Sequence, residues 1–292
     1  YPDIPSKIKK RLPGPPRIIS IGRNPIERAY SSYKYNYKAP LLRYMRQGKV
    51  KGITRRQPDS AYDKYVFSFE DMLRAELPIL RECLSQGGYG ADFARKAWGN
   101  KTWARNEFVR RDKLGLPPLI DLDNYCYGGR VNSTIPRRQW IDLMTGNPEK
   151  IITNENIHLT QSMIGRSLYV LPLDWWYFQY NASDLYFICT EELDDQSGDS
   201  MHRLAEFLGL PFFNFSSTLS RGAYNVGVNT GYDKETKWDG DLIGGDNKTM
   251  YTRTPTTMSD VPLSEDFMLE LKEFIEPFNE RLFELVGRRC NW

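Results

Sequence analysis

Ile18, Ile19 and Ile21 form a short β-branched apolar run with Ser20 inside it. Such a run predicts a strand covered on both faces, as in a parallel sheet. Gly22 lets the backbone leave the strand. Asn24 then predicts a helix N-cap, with Pro25 at the first helical position and Glu27 where a capping-box carboxylate reaches back. Ile26, Ala29, Tyr30, Tyr33 and Tyr37 follow as one apolar stripe. Ser31 falls outside that stripe, on the face with Asn24, Arg28 and Tyr35.

Ala39-Pro40 breaks the helical pattern, and a second helix is expected from Ser68. Phe67 and Met72 form its hydrophobic staple, and Asp71 stands at the capping-box position. Phe69, Met72, Leu73, Leu80 and Leu84 make its buried stripe, Pro78 kinks or splits it, and Gly87-Gly88 ends it. Periodicity is lost from Gly87 to Glu155. It returns with Arg166-Ser167-Leu168-Tyr169 leading into an aromatic helix around Trp175-Trp176-Tyr177-Phe178. Leu185–Cys189 reads as a second buried strand closed by Glu191-Glu192-Leu193. A helix from about Ser200 carries Met201, Leu204, Ala205 and Leu208 and stops at Gly209. Ser264 caps a last helix with Phe267, Leu271, Phe274, Phe278, Leu282 and Leu285 in its stripe, kinked at Pro277 and stopped at Gly287. Two buried strands with intervening helices are what a parallel α/β sheet requires.

The 292 residues suffice for one large α/β domain or two small ones, and 40% hydrophobic with 13% aromatic residues supports a substantial core. A net charge of +3 argues against a nucleic-acid binder driven by bulk charge. Lys7, Lys9, Lys10 and Arg11 fall in a proline-rich, solvated lead-in. Arg43, Arg46, Lys49, Lys51, Arg55 and Arg56 follow one another with no intervening acid. They form either a solvated basic loop or a contact strip for an anionic polymer. Cys83, Cys126, Cys189 and Cys290 are widely spaced, which leaves two disulfides or four buried thiols open and suggests no zinc. N-x-S/T sequons stand at Asn100, Asn132, Asn181, Asn214 and Asn247, against about two expected by chance, and lean toward a secretory lumen. No run has the length of a transmembrane helix. The chain opens at Tyr1 and is expected to be a piece of a longer protein.

The candidate chemistry lies at the first corner. Arg23 sits at the carboxyl end of the first strand, the edge where open α/β sheets bind ligands. The following helix offers N–H groups and a partial positive charge to an anion. Arg23 adds a planar fork of donors matched to phosphate oxygens, and Ser31 one hydroxyl. A capped core helix with a surface arginine is the alternative.

Arg23-Asn24-Pro25-Ile26-Glu27-Arg28-Ala29-Tyr30-Ser31-Ser32-Tyr33 resembles the 3′-phosphate-binding motif R-N-P-x-x-R-A-x-S-x-Y of sulfotransferases. The similarity is to Golgi carbohydrate sulfotransferases acting on glycosaminoglycans, which use 3′-phosphoadenosine 5′-phosphosulfate. It extends to the Glu191-Glu192-Leu193 and Phe207-Leu208-Gly209-Leu210 blocks and to the run from Phe274 to Gly287 that precedes Trp292. The resemblance implies a P-loop-like sulfotransferase fold, a parallel sheet flanked by helices, with its N-terminal part missing. It implies one partial domain over 1–292, with 40–66 and 88–155 as insertions or loops. Arg23 and Ser31 would bind the cofactor's 3′-phosphate, without a metal. The acceptor would be a carbohydrate hydroxyl or amine on an anionic polysaccharide, not nucleic acid. The full-length protein would be a Golgi-lumenal type II membrane protein, held by an anchor absent from this chain.

In that family a phosphate loop with a catalytic lysine, then a glutamate or histidine base, precede the motif. No G-x-x-x-x-G-K-[ST] loop occurs here, so no catalytic residue is assigned. His158 and His202 read as structural. Arg221 and Lys234, in a glycine-bearing stretch, are phosphate-loop candidates by position only. Trp98, Trp103 and Trp140 are core residues or sugar platforms. Two rival functions remain at this stage: a phosphate-loop kinase-like nucleotide enzyme, and a non-catalytic module for acidic glycans.

Overall fold

In a computed structural model, residues 4–50, 53, 59–86, 106, 110, 114, 145–152, 162–193, 198–215 and 258–292 are described. Most of 88–155, the aromatic positions Trp98, Trp103 and Trp140, and His158, Arg221 and Lys234 lie outside them. The fold is mixed α/β and mostly helical. Its sheet, among the described residues, has two parallel strands, β1 (Ile18–Gly22) and β2 (Leu185–Cys189), in register from Ile18 opposite Leu185 to Gly22 opposite Cys189.

Helix α1 (Ile4–Arg11) precedes β1. Helix α2 (Pro25–Tyr33) follows it and passes through a π-helical turn (Lys34–Lys38) into α3 (Ala39–Arg46). A 3-10 segment (Asp59–Tyr65) leads to the long α4 (Phe69–Gln86). Helix α5 (Val170–Gln179) feeds β2. One helical turn (Thr190–Leu193) leads out of β2 toward α6 (Asp199–Leu208), and α7 (Glu265–Val286) closes the chain.

The core lies between α2, α4, α5 and α7. Ile26, Ala29, Tyr33 and Tyr37 are buried along α2 and its continuation, as their spacing predicts. The Tyr33 hydroxyl donates to the Phe67 carbonyl at 2.7 Å. That of Tyr37 donates to the Ile151 carbonyl at 2.8 Å and accepts the Phe67 N–H at 2.9 Å. Burial pushes both phenols well above the ordinary tyrosine range. These bonds staple α2 to the start of α4 and to 145–152.

The capping predictions hold in part. The Asn24 carboxamide accepts from the Ile26 and Glu27 N–H groups. At α4 the box is complete: Asp71 N–H donates to Ser68 Oγ at 3.0 Å and Ser68 N–H to Asp71 Oδ2 at 3.3 Å. Gly209 and Gly287, at φ +70° and +68°, end α6 and α7 in the left-handed conformation. Helix α4 runs through Pro78 and α7 through Pro277 without interruption.

Several expectations are corrected. The lead-in forms helix α1, which the sequence did not announce, while Lys7, Lys9, Lys10 and Arg11 on it are exposed as expected. Pro5 is buried, the Tyr180 hydroxyl donates to its carbonyl at 3.3 Å, and Lys9 Nζ donates to the Gln179 carbonyl. Ala39-Pro40 does not break the chain's helical course, because Pro40 falls in the first turn of α3, where its missing N–H costs nothing. Within 40–66, α3 and the 3-10 segment are helical, and Leu41, Met45 and Tyr62 are fully buried. Strand β1 is not covered on both faces. Ile19 and Ile21 are 39% and 57% exposed, since the described helices pack mainly against the side of Ile18 and Ser20. Gly22 is required for space rather than for a turn. A Cβ there would lie 2.2 Å from Phe187 Cζ and 3.0 Å from Trp292 Cη2. Gly22→Ala is expected to lower unfolding free energy by about 1–3 kcal/mol, in the range of core overpacking. Urea melts would measure it.

Ser264 sits at the N-cap of α7, but its hydroxyl does not cap the helix. Its N–H and Oγ donate to the Glu70 carboxylate at 2.7 and 2.8 Å, and Arg74 pairs with the same carboxylate. Burial alone would raise the Glu70 carboxyl. The Ser264 backbone, the Arg74 guanidinium and the Ser264 hydroxyl outweigh it and hold the group below its ordinary value. A depressed carboxyl stabilises the fold above its unfolded pKa, and the contribution fades as pH falls through the folded one. Glu70→Gln is therefore expected to cost about 1 kcal/mol at neutral pH, the scale of one hydrogen-bonded cap. The gap from the wild type should close in acid, as read by urea midpoints across pH.

Candidate functional site

The site is the carboxyl edge of the sheet, where β1 gives way to α2. Thr190 Oγ1 donates to the Gly22 carbonyl at 2.8 Å, which ties the exits of the two strands together. The Arg23 N–H donates to the Tyr169 hydroxyl at 3.3 Å. The Asn24 N–H donates to Glu191 Oε1 at 3.4 Å, and Trp292 Nε1 donates to Glu191 Oε2 at 3.2 Å. Rings of Tyr169, Phe187 and Trp292 meet beneath this edge. The end of the chain is fixed there too. Cys290 forms a disulfide with Cys189, the last residue of β2, and Arg288 donates to the Phe187 carbonyl and pairs with Glu192. Of the two cysteine arrangements left open by the spacing, a disulfide holds for this pair.

Arg23 is half-buried and lies along the first turn of α2. Its guanidinium pairs with Glu27, at 3.2 Å from Nε and 3.1 Å from Nη2. Glu27 therefore does not close the capping box expected of it. The Asn24 N–H that it would have accepted goes to Glu191 instead. Ser31 is also half-buried, and its hydroxyl has no hydrogen-bond partner among the described residues. Arg23 and Ser31 share no hydrogen bond. Arg23 precedes the N-cap and is placed by its pair with Glu27; within α2, Ser31 lies about one turn, or about 6 Å, beyond Glu27. A carboxylate thus stands between the two predicted ligands.

Arg28, next along this face, donates from Nη1 to the Met163 carbonyl at 3.0 Å. The segment 162–167 that carries Met163 is held by Glu76, a buried acid on α4. It accepts the N–H groups of Met163, Ile164 and Gly165 at 2.9, 3.1 and 2.8 Å. Glu76 falls among the apolar stripe positions of α4, and an acid at such a position was the one sequence signal for it. At Tyr169, burial raises the phenol most. The Arg23 N–H bond and the Arg28 and Arg23 guanidinium groups pull it down in part, and Glu191 pushes it up. Tyr169 and Glu191 had no local signal as site residues.

An anion entering here meets the donors of Arg23 and the partial positive charge of α2, whose first N–H groups are already taken by Tyr169, Glu191 and Asn24, against the charges of Glu27 and Glu191. Removing the first of those charges should help it. Glu27→Gln is expected to tighten phosphate-ester binding at this edge about tenfold, or 1.4 kcal/mol, within the Coulomb energy of neighbouring charges near a protein surface. Calorimetric titration with 3′-phosphoadenosine 5′-phosphate would check it.

Behind Trp292 a cleft of about 280 Å³ opens beside Asn24, Pro25 and Ile26, with Lys272, Asn279 and Phe283 on its walls. Among the described residues no group of three His, Cys, Asp or Glu side chains is placed to hold a metal ion, and no helix is long and apolar enough to cross a membrane. No family model, no curated protein and no solved structure matches this chain.

Proposed function

We propose that this chain belongs to an enzyme of P-loop-like sulfotransferase fold. Its reaction is transfer of a sulfuryl group from 3′-phosphoadenosine 5′-phosphosulfate to a hydroxyl or amine of a carbohydrate, in particular a glycosaminoglycan-like polysaccharide. One observation carries the reading. The motif running from Arg23 to Tyr33 spans a parallel-strand-to-helix corner, with Arg23 at the carboxyl edge of β1 and Ser31 on the half-buried face of α2. That is where a nucleotide phosphate is expected on such a sheet.

In this proposal Arg23 and Ser31 hold the 3′-phosphate and so fix the donor. The acceptor oxygen or nitrogen attacks sulfur in line and gives its proton to a general base, the S–O bond to the 5′-phosphate breaks, and negative charge gathers on the departing phosphate oxygen. Positioning and cationic stabilisation supply most of the rate, as in phosphoryl transfer. Lumenal residence is part of the same proposal. The disulfide Cys189–Cys290 supports an oxidising compartment.

Competitive titration of 3′-phosphoadenosine 5′-phosphate against ATP tests it. Preference for the former is expected. Preference for ATP would favour a kinase-like nucleotide enzyme, and binding of neither would remove the proposal.

A further inference from the structure

After α6 the chain presents an apolar patch to solvent. Leu210, Phe212 and Phe213 are 56%, 83% and 55% exposed. The segment is held in place. His202 Nε2 lies 3.1 Å from the Phe213 carbonyl, the His202 ring is 5.1 Å from Phe212 and 5.6 Å from Phe215, and Phe213 and Phe215 meet edge to face at 5.0 Å. A cavity of about 460 Å³ opens against this patch, with Arg203 and Glu206 on its α6 side. Contiguous exposed aromatic surface of this kind marks a binding site or calls for a cover.

Inside the patch stands Asn214, exposed, in the sequon Asn214-Phe215-Ser216. We propose that Asn214 carries an N-linked glycan whose first sugars pack over Phe212 and Phe213. The site asks for a ligand with an apolar face and a polar rim. The C–H face of a pyranose on an aromatic ring meets that demand, with its hydroxyls turned to water. The asparagine that would carry the sugar is next to Phe213 in the chain, so the cover is tethered where it is needed. The Cys189–Cys290 disulfide supports passage through the oxidising compartment in which such glycans are added. The step is a substitution without redox change. The Asn214 amide nitrogen bonds to the anomeric carbon of a polyprenyl-diphosphate-linked oligosaccharide and gives one proton to a base of the transferring enzyme. The bond from that carbon to the diphosphate breaks, and the diphosphate leaves with the electron pair. The proposal is independent of sulfuryl transfer.

The test uses the full chain secreted from animal cells. Enzymatic deglycosylation in heavy-oxygen water converts a glycosylated asparagine to labelled aspartate, which peptide mass spectrometry locates. Label at Asn214 is expected, lost in Ser216→Ala and kept in Ser216→Thr. Glycan removal from the folded wild type should raise the fluorescence of an apolar dye severalfold, which gives the comparison without a variant. Unlabelled Asn214 in secreted, folded protein would overturn the proposal. So would dye binding that is equal with and without the glycan, because the patch would then be covered by another part of the chain or not by sugar.

Discussion

Arg23→Ala is expected to weaken binding of 3′-phosphoadenosine 5′-phosphate by about a hundredfold or more, and Ser31→Ala by about tenfold or less. Charged hydrogen bonds contribute about 1.5–3 kcal/mol each and neutral ones about 1 kcal/mol, at 1.4 kcal/mol per factor of ten. The guanidinium brings charge and a fork of donors, whereas the hydroxyl brings one donor. Arg23 first has to leave Glu27, a pair whose side chains are 23% and 17% exposed, so the net gain on binding is smaller than the gross contact. The fold should tolerate the loss, since the pair lies at the sheet edge, where water can still reach the carboxylate left by Arg23. Circular dichroism and urea melts of Arg23→Ala close to the wild type would show that the change lies in binding. Unchanged calorimetric affinity in both variants would refute the site.

The second large effect is structural. Cys290→Ser is expected to lower unfolding free energy by about 2–5 kcal/mol, the range for removing a native disulfide. The bond closes a sequence separation of 101 residues, so the unfolded chain regains much freedom when it is lost. Arg288, through the Phe187 carbonyl and Glu192, and Trp292, through Glu191, hold the tail independently. The variant should therefore remain folded in the cold. Guanidinium denaturation of wild type and variant measures the loss, and reductant should bring the wild type to the variant's midpoint. Equal midpoints without reductant would contradict the role given to the bond.

Much of the frame was legible because it is written locally. β1 and β2 follow from runs of apolar residues, and the start of α2 from Asn24-Pro25. The start of α4 follows from Ser68 and Asp71, and the ends of α6 and α7 from Gly209 and Gly287. Helix α1 was not, because its sequence is proline-rich and basic, and contacts with Gln179 and Tyr180 hold it. The site was half legible. Its strand, corner and arginine stand in one stretch, but Tyr169 and Glu191 come 146 and 167 residues after the groups that they contact. No periodicity reports such partners. Glu27 shows the remaining limit. The spacing allowed it to reach back to Asn24 or across to Arg23, and the competition of Glu191 for the Asn24 N–H leaves it with the arginine.

The most direct measurement is a calorimetric comparison of 3′-phosphoadenosine 5′-phosphate with adenosine 5′-phosphate, which differ only in the ribose 3′-phosphate, on the wild type and on Arg23→Ala. The wild type is expected to prefer the first by about a hundredfold, or close to 3 kcal/mol, and Arg23→Ala to lose most of that preference. Equal affinity of the wild type for both nucleotides, or a preference that survives in Arg23→Ala, would contradict a 3′-phosphate site at this edge.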